Sequence, residues 1–103
     1  MNETTLRAVA SRTRRDILRL VWGRELSSRA IADHFDVTWP AISQNLKVLE
    51  LAGLVRSRRE GTSRFYRTDR ARLRPFKAVL TAMWEADLDR LAELAEAEER
   101  GRS

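Results

Sequence analysis

The chain has 103 residues, of which 43% are hydrophobic and 34% charged, and it contains no cysteine. This composition is typical of a folded, mostly helical protein and excludes a disulfide framework and a thiolate metal site. Because the sequence has no apolar run of about 18 residues and no secretory leader pattern, we expect one cytoplasmic domain, residues 1–103, without a membrane segment.

Charge is distributed unevenly along the chain. The formal net charge is +5, yet residues 85–103 carry seven acids against three arginines, whereas residues 54–74 carry eight arginines against two acids. Concentrated positive charge favours a polyanion as partner, because binding releases the counterions condensed on it. A solvated basic surface is the alternative interpretation.

The first third of the chain is predicted to form three helices. Apolar residues over Leu6–Trp22 follow helical spacing, with a short break after which Ser11 or Thr13 caps a second helix. Gly23 is the predicted left-handed stop of that helix. A short third helix follows, capped by Ser27 or Ser28.

The fourth helix, over about residues 38–52, carries the clearest functional pattern. Thr38 is its predicted cap, and Pro40 lies in the first turn, where no N–H is needed. The predicted left-handed stop is Gly53. Ile42, Leu46 and Leu49 form the predicted buried face. The opposite face carries polar groups with no acid before Glu50, and its members are Thr38, Trp39, Pro40, Ser43, Gln44 and Lys47.

That polar face has the chemistry of a base-reading surface. In a helix-turn-helix the second helix enters the major groove, and its first turns meet base edges. Gln44 is suited to adenine, Ser43 to either kind of edge, and Lys47 to guanine or phosphate. We therefore predict that the six residues contact bases. For Trp39, packing against the start of the helix is the alternative.

A basic hairpin is predicted over about residues 54–68. Two extended runs flank a short turn that contains Gly61. Alternate strand residues share a face, so Arg56 and Arg58 should point together, with Arg64 joining them and Arg59 near the tip. These four arginines are the predicted contacts to the DNA backbone. A charged edge that resists aggregation is the alternative.

The last predicted helix covers about residues 73–99, with Pro75 in its opening turn, and carries one apolar stripe. A stripe of this length on so small a domain predicts an interface between two copies. Packing of the stripe inside its own subunit is the alternative. The predicted dimer contacts, on the first and last helices, are Leu6, Val9, Phe76, Leu80, Met83, Trp84, Leu88 and Leu91.

This order of elements predicts a mainly α fold with a small β-hairpin, a winged helix-turn-helix with a long C-terminal dimerisation helix. The segments "TRRDILRLV", "IADHFDVTWPAISQNLKVLELAGLV" and "SRREGTSRFYR" resemble the ArsR/SmtB-type family of winged-helix repressors. The resemblance implies a homodimer that binds a palindromic double-stranded DNA operator and represses its own or neighbouring genes. The family usually has His where this chain has Asn45.

The sequence predicts no cofactor, no metal site and no catalysis. Many members of the family bind metals through Cys pairs or Asp and His pairs, and the only histidine here is His34, whereas a tetrahedral site needs four ligands. The chain is similar to the cysteine-free branch, and neither a small-molecule nor a protein inducer is identified. No nucleophile has a neighbouring base. The competing function is a winged-helix interaction module whose basic wing binds an acidic protein.

Overall fold

Residues 3–101 are described by a computed structural model and form six α-helices and three short strands. The helices are α1 (Glu3–Ala10), α2 (Arg12–Leu20), α3 (Ser28–Ala32), α4 (Trp39–Leu51), α5 (Arg70–Leu73) and α6 (Lys77–Gly101). The strands are β1 (Leu26–Ser27), β2 (Val55–Glu60) and β3 (Ser63–Thr68). This arrangement confirms the predicted winged helix-turn-helix, to which β1 adds a third strand.

Side-chain caps determine where α2, α3 and α4 begin. The hydroxyl oxygens of Ser11, Ser27 and Thr38 each accept a hydrogen bond from the backbone amide three residues later, at 3.1–3.3 Å. Each bond satisfies an amide that has no partner within the helix. Of the alternatives that the sequence left open, Ser11 and Ser27 are therefore the caps.

The predicted helix stop at Gly23 is wrong. Helix α2 ends three residues earlier, and within residues 3–101 only Gly53 and Gly61 have a positive φ, of 76° and 60°. The carbonyl oxygen of the fully buried Val21 accepts a bond of 3.0 Å from the amide of Thr68. The chain therefore leaves the helix to meet the sheet before it reaches Gly23.

The sheet is antiparallel, with β3 between β1 and β2. Arg58 lies opposite Phe65, and Arg59 lies opposite Arg64. Directly opposed residues share a face of the sheet, so Arg64 lies on the face opposite to Arg56 and Arg58. The prediction that Arg64 joins them is therefore wrong. The two-residue turn fixes a register in which Arg64 lies opposite Arg59, and successive pairs along the hairpin lie on alternate faces of the sheet.

The core lies where α1, α2, α4 and the sheet meet. The predicted buried face of α4 is confirmed, since Ile42, Leu46 and Leu49 are at most 1% exposed. They pack in one cluster with Ile17, Leu18, Ile31 and Leu54. Tyr66 is also buried, so it packs the hairpin onto the body rather than facing outward. Helix α4, the predicted recognition helix, and the β2–β3 hairpin, the predicted wing, are thus fixed to one core.

Only the first half of helix α6 is covered by the rest of the subunit. It begins at Lys77 rather than near residue 73, because Pro75 lies in a 3₁₀ turn and has no N–H to continue an α-helix. Leu80 is buried, but every described residue from 88 onwards is exposed. No helix within residues 3–101 has the length and apolar character needed to cross a bilayer.

Two side chains of α6 hold it against α2. Arg15 donates hydrogen bonds of 2.9 and 2.8 Å to the two carboxylate oxygens of Asp87, which holds the pKa of Asp87 below its usual value. Trp84 donates from Nε1 to the carbonyl oxygen of Arg15 at 3.0 Å. The Trp84 ring also meets Trp22 edge-on, with centroids 5.4 Å apart. The position of α6 is therefore fixed at its first half only.

Candidate nucleic-acid interface

The polar face of α4 is open to solvent along its whole length. Its predicted base-reading residues are all exposed, and they are Thr38, Trp39, Pro40, Ser43, Gln44 and Lys47. The Trp39 side chain is 48% exposed, so it does not pack fully against the body. The buried residues of the same helix hold it from the opposite side. Nothing within residues 3–101 covers the face that would have to enter a DNA groove.

The side chain of Asn45 ties the middle of α4 to Arg14 of α2. Its side-chain oxygen accepts a bond of 3.2 Å from Arg14, and its amide donates to the carbonyl of Ala41 at 3.0 Å. Arg14 also donates to the carbonyls of Arg7 and Ala8 at the end of α1, at 2.9 and 2.7 Å. Asn45 is therefore a positioning residue that joins the recognition helix to α1, and it does not face outward.

A polar cleft of about 400 Å³ adjoins the start of α4. It is lined by the beginning of α3, the start of α4 and the hairpin turn, through Ser27, Ser28, Arg29, Trp39, Thr62 and Ser63. Side chains with hydroxyl and guanidinium groups are among those that bind phosphate oxygens in protein–DNA complexes. Sequence reasoning missed Ser28, Arg29 and Thr62, because only the fold brings these distant segments together.

Arg58 is engaged by acids of its own subunit. Its guanidinium contacts Glu25 at 2.6 Å and Glu60 at 2.9 Å, and it lies 4.8 Å from the ring centroid of Phe65. The hydrogen bond from Arg58 lowers the pKa of the Glu25 carboxyl, and the two acids raise the pKa of Arg58. The charge of Arg58 is thus largely compensated within the subunit.

The other three wing arginines differ in what they contact. Arg56 pairs with Asp69 at 2.9 Å, and this bond is the main reason that the pKa of Asp69 is lowered. Arg64 donates to the hydroxyl of Ser57 at 3.0 Å. Within residues 3–101, neither Arg59 nor Arg64 forms an ion pair. These two arginines keep their charge available at the end of the hairpin nearest the turn.

The predicted dimer contacts fall into three groups by exposure. Val9 and Leu80 belong to the core, at 6% and 2% exposure, and Phe76, Met83 and Trp84 are half-buried against it. Leu6, Leu88 and Leu91 are 46–48% exposed. Two further apolar residues of α6, Val79 and Leu94, are exposed to a similar degree. The apolar stripe therefore packs inside the subunit at first and continues outside it.

His34 completes a helix end. Its Nδ1 lies 2.9 Å from the carbonyl oxygen of Ala30, which accepts the ring hydrogen. Across residues 3–101, acidic and histidine side chains do not gather into any group of three or more that could hold a metal ion. The geometry of His34 is that of a residue satisfying the last carbonyls of α3.

Residues 9–58 match the family model of a helix-turn-helix domain. The chain is 36% identical over 91 residues to the HTH-type transcriptional regulator Rv2034 of Mycobacterium tuberculosis, covering 88% of this chain and 85% of that protein. It is 36% identical over 81 residues to the regulator KmtR of the same organism, covering 79% of this chain and 61% of KmtR. It is also 35% identical over 60 residues to the transcriptional repressor SdpR of Bacillus subtilis, covering 58% of this chain and 67% of SdpR.

Two solved structures share the fold at moderate identity. An ArsR-like transcriptional regulator from Rhodococcus is 28% identical, with a TM-score of 0.66, and the match covers 91% of this chain and 89% of that one. The homodimeric winged helix-turn-helix DNA-binding domain of a Mycobacterium bovis protein is 30% identical, with a TM-score of 0.69, and covers 80% and 76%.

Proposed function

This chain belongs to the ArsR family of winged helix-turn-helix transcriptional regulators, and on that premise we propose that it is a homodimeric repressor. It binds a palindromic operator in front of its own or a neighbouring gene. The observation that carries the proposal is the open polar face of α4, which lies beside a cleft shared with the hairpin turn. The repressor SdpR, among the relatives, supports the sign of the regulation.

Base reading is assigned to the exposed face of α4. In the major groove, Gln44 offers an amide that pairs in bidentate fashion with adenine, and Lys47 offers a donor to guanine or phosphate. Ser43 lies on the same exposed face, and its hydroxyl both donates and accepts. Pro40 has no side-chain donor and Trp39 presents a mainly apolar indole ring, so both would supply apolar contact to a thymine methyl. Thr38 caps α4 by accepting one hydrogen bond, which leaves its hydroxyl hydrogen and one lone pair available.

Contacts to the DNA backbone are assigned to the two elements that flank the cleft beside α4, the hairpin and the start of α3. Arg59 and Arg64 lie directly opposite each other near the hairpin turn and have no ion pair to break within residues 3–101. On the other side, Ser28 and Arg29 offer phosphate ligands at the start of α3. Arg58 contributes less, because Glu25 and Glu60 would have to release it first. The proposed backbone contacts therefore come from two elements that lie next to the start of α4.

The second half of α6 supplies the proposed dimer interface. Its exposed leucines continue the same helical face that Leu80 and Trp84 bury in the first half, so a second copy completes a surface that the subunit leaves uncovered. Leu6 of α1 adds to that surface. A two-fold axis through the paired helices would set the two copies of α4 one helical turn of DNA apart, about 34 Å.

The direct test measures binding of the full chain to duplex DNA by fluorescence anisotropy. One duplex carries the region upstream of the gene, and a control duplex has the same composition in shuffled order. We expect binding to both to weaken linearly with the logarithm of salt concentration, because phosphate contacts release counterions. We expect the upstream duplex to bind at least about a thousandfold more tightly than the shuffled one.

Three results would contradict the proposal. If both duplexes bound equally at every salt concentration, the chain would not recognise a specific DNA sequence. The absence of binding to any duplex at low salt would favour the competing function, an interaction module whose wing binds an acidic protein. If the chain were a monomer at the concentrations that saturate the operator, the proposal that two copies bind a palindromic site would be wrong.

A further inference from the structure

A second basic surface lies at the base of the hairpin, away from its turn. It is a groove of about 650 Å³ between the hairpin, α5 and the start of α6. Four arginines, one lysine and one tryptophan line most of it, namely Trp22, Arg56, Arg67, Arg70, Arg74 and Lys77. We call this surface the basal groove.

Most of the positive charge in the basal groove is uncompensated. The one acid that lines it is Asp69, and its carboxylate already accepts bonds from Arg56 and from the backbone amide of Arg72, at 2.9 and 3.2 Å. Within residues 3–101, no ion pair engages the other four cations of the groove. Four cations of the groove therefore have no acidic partner in the described part of the chain, and only Arg56 is paired with the single acid that lines it.

The basal groove is separate from the proposed DNA surface. Arg56 and Arg67 are directly opposite each other and lie four residue pairs from the turn, which is about 13 Å along the strands. They lie on the face of the sheet opposite to Arg59 and Arg64. On their own face, the acids that bind Arg58 interrupt the positive charge before the turn is reached.

We infer that the basal groove binds a small multivalent anion, a molecule bearing at least two phosphate or carboxylate groups. Guanidinium groups match both kinds of oxyanion through paired N–H donors, and several of them around one cavity favour a ligand with several negative charges. A volume of about 650 Å³ lies within the range of small-molecule sites. Trp22 adds an apolar wall beside the charged groups.

Such a ligand would join the wing to the dimerisation helix. Arg67 belongs to β3, whereas Arg74 begins the 3₁₀ turn and Lys77 is the first residue of α6. An anion held by both sides would fix the angle between hairpin and α6. The regulatory consequence rests on the proposed function, whereas occupancy of the groove does not.

The test is calorimetric titration of the full chain with inorganic tripolyphosphate and, separately, with citrate. The variant that removes the site is Arg70→Gln combined with Arg74→Gln. Its control is Arg24→Gln combined with Arg90→Gln, which removes the same charge from exposed positions outside the groove. Circular dichroism of each variant verifies that the helices remain.

We expect one saturable site per chain for at least one of the two anions, still measurable at about 0.3 M salt. The groove variant should weaken that binding at least about tenfold, and the control variant less than about twofold. The stronger of the two anions identifies phosphate or carboxylate chemistry. Equal weakening in both variants, or no saturation by either anion, would overturn the inference. Loss of shuffled-duplex binding in the groove variant without any anion site would assign the groove to DNA instead.

Discussion

Replacing Asp87 with Asn should lower the stability of the subunit more than any other single charge removal on α6. The side chains of Asp87 and Arg15 are only 17% and 11% exposed, and two hydrogen bonds join them. The substitution keeps the shape of Asp87 but removes its charge and places an amide beside the guanidinium. Arg15 retains bonds of 2.9 Å to the carbonyls of Val9 and Ala10.

The expected loss of unfolding free energy is about 2 kcal/mol. An exposed pair contributes roughly 0–1 kcal/mol, and removing one partner of a fully buried pair costs about 3–5 kcal/mol. The Arg15–Asp87 pair lies between these cases, since it is mostly buried and since Arg15 keeps two other acceptors. In a domain of this size, about 2 kcal/mol lowers the melting temperature by roughly 10 °C.

The assay is thermal and urea unfolding followed by circular dichroism, at one fixed protein concentration because a dimer gains stability with concentration. The matched control is Asp89→Asn, which removes the same charge from an exposed position of α6. The pKa of Asp87 is lowered in the folded state, so the pair stabilises fully above the ordinary aspartate pKa of about 4. The difference between wild type and Asp87→Asn should shrink below that pH. Equal melting temperatures for the two variants at neutral pH would refute this reasoning.

Three further outcomes are expected. Gln44→Ala should cost about 1–3 kcal/mol on the operator and much less on shuffled DNA, measured by anisotropy; equal losses would remove its role in base reading. Arg59→Ala should flatten the salt slope of DNA binding by about one unit, and Arg58→Ala by clearly less; the reverse order would show that Glu25 does not hold Arg58 in solution. Leu91→Lys should shift sedimentation from dimer to monomer while the far-ultraviolet spectrum is kept, and an unchanged dimer would place the interface elsewhere.

The recognition helix could be predicted because its signals are local. Thr38 caps it, Pro40 is tolerated in its first turn, and Gly53 ends it with a positive φ. Each of these depends on residues fewer than five positions away. The buried face followed from helical spacing alone. A chain segment whose ends and faces are determined by near neighbours is the kind of element that sequence patterns describe well.

The electrostatics of the wing could not be predicted, because they depend on contacts distant in sequence. Glu25 and Arg58 are 33 residues apart and meet only because β1 joins the sheet beside β3. The face of Arg64 depended on the register across the turn, where a change of one residue reverses every side chain. Gly23 carried a helix-stop signal, but the pairing of Val21 with Thr68 ended the helix first.

The bridge from Arg14 to Asn45 has a consequence for the length of DNA site that a two-fold pair of subunits would accept. The Arg14 side chain donates hydrogen bonds to carbonyls in the last turn of α1 and to Asn45 in the middle of α4, so a tilt of one helix would also tilt the other. In the proposed dimer that tilt would occur in both halves, and the distance between the two reading helices would change by twice the displacement in each. A residue that touches no base would then help to select the spacing of operator half-sites.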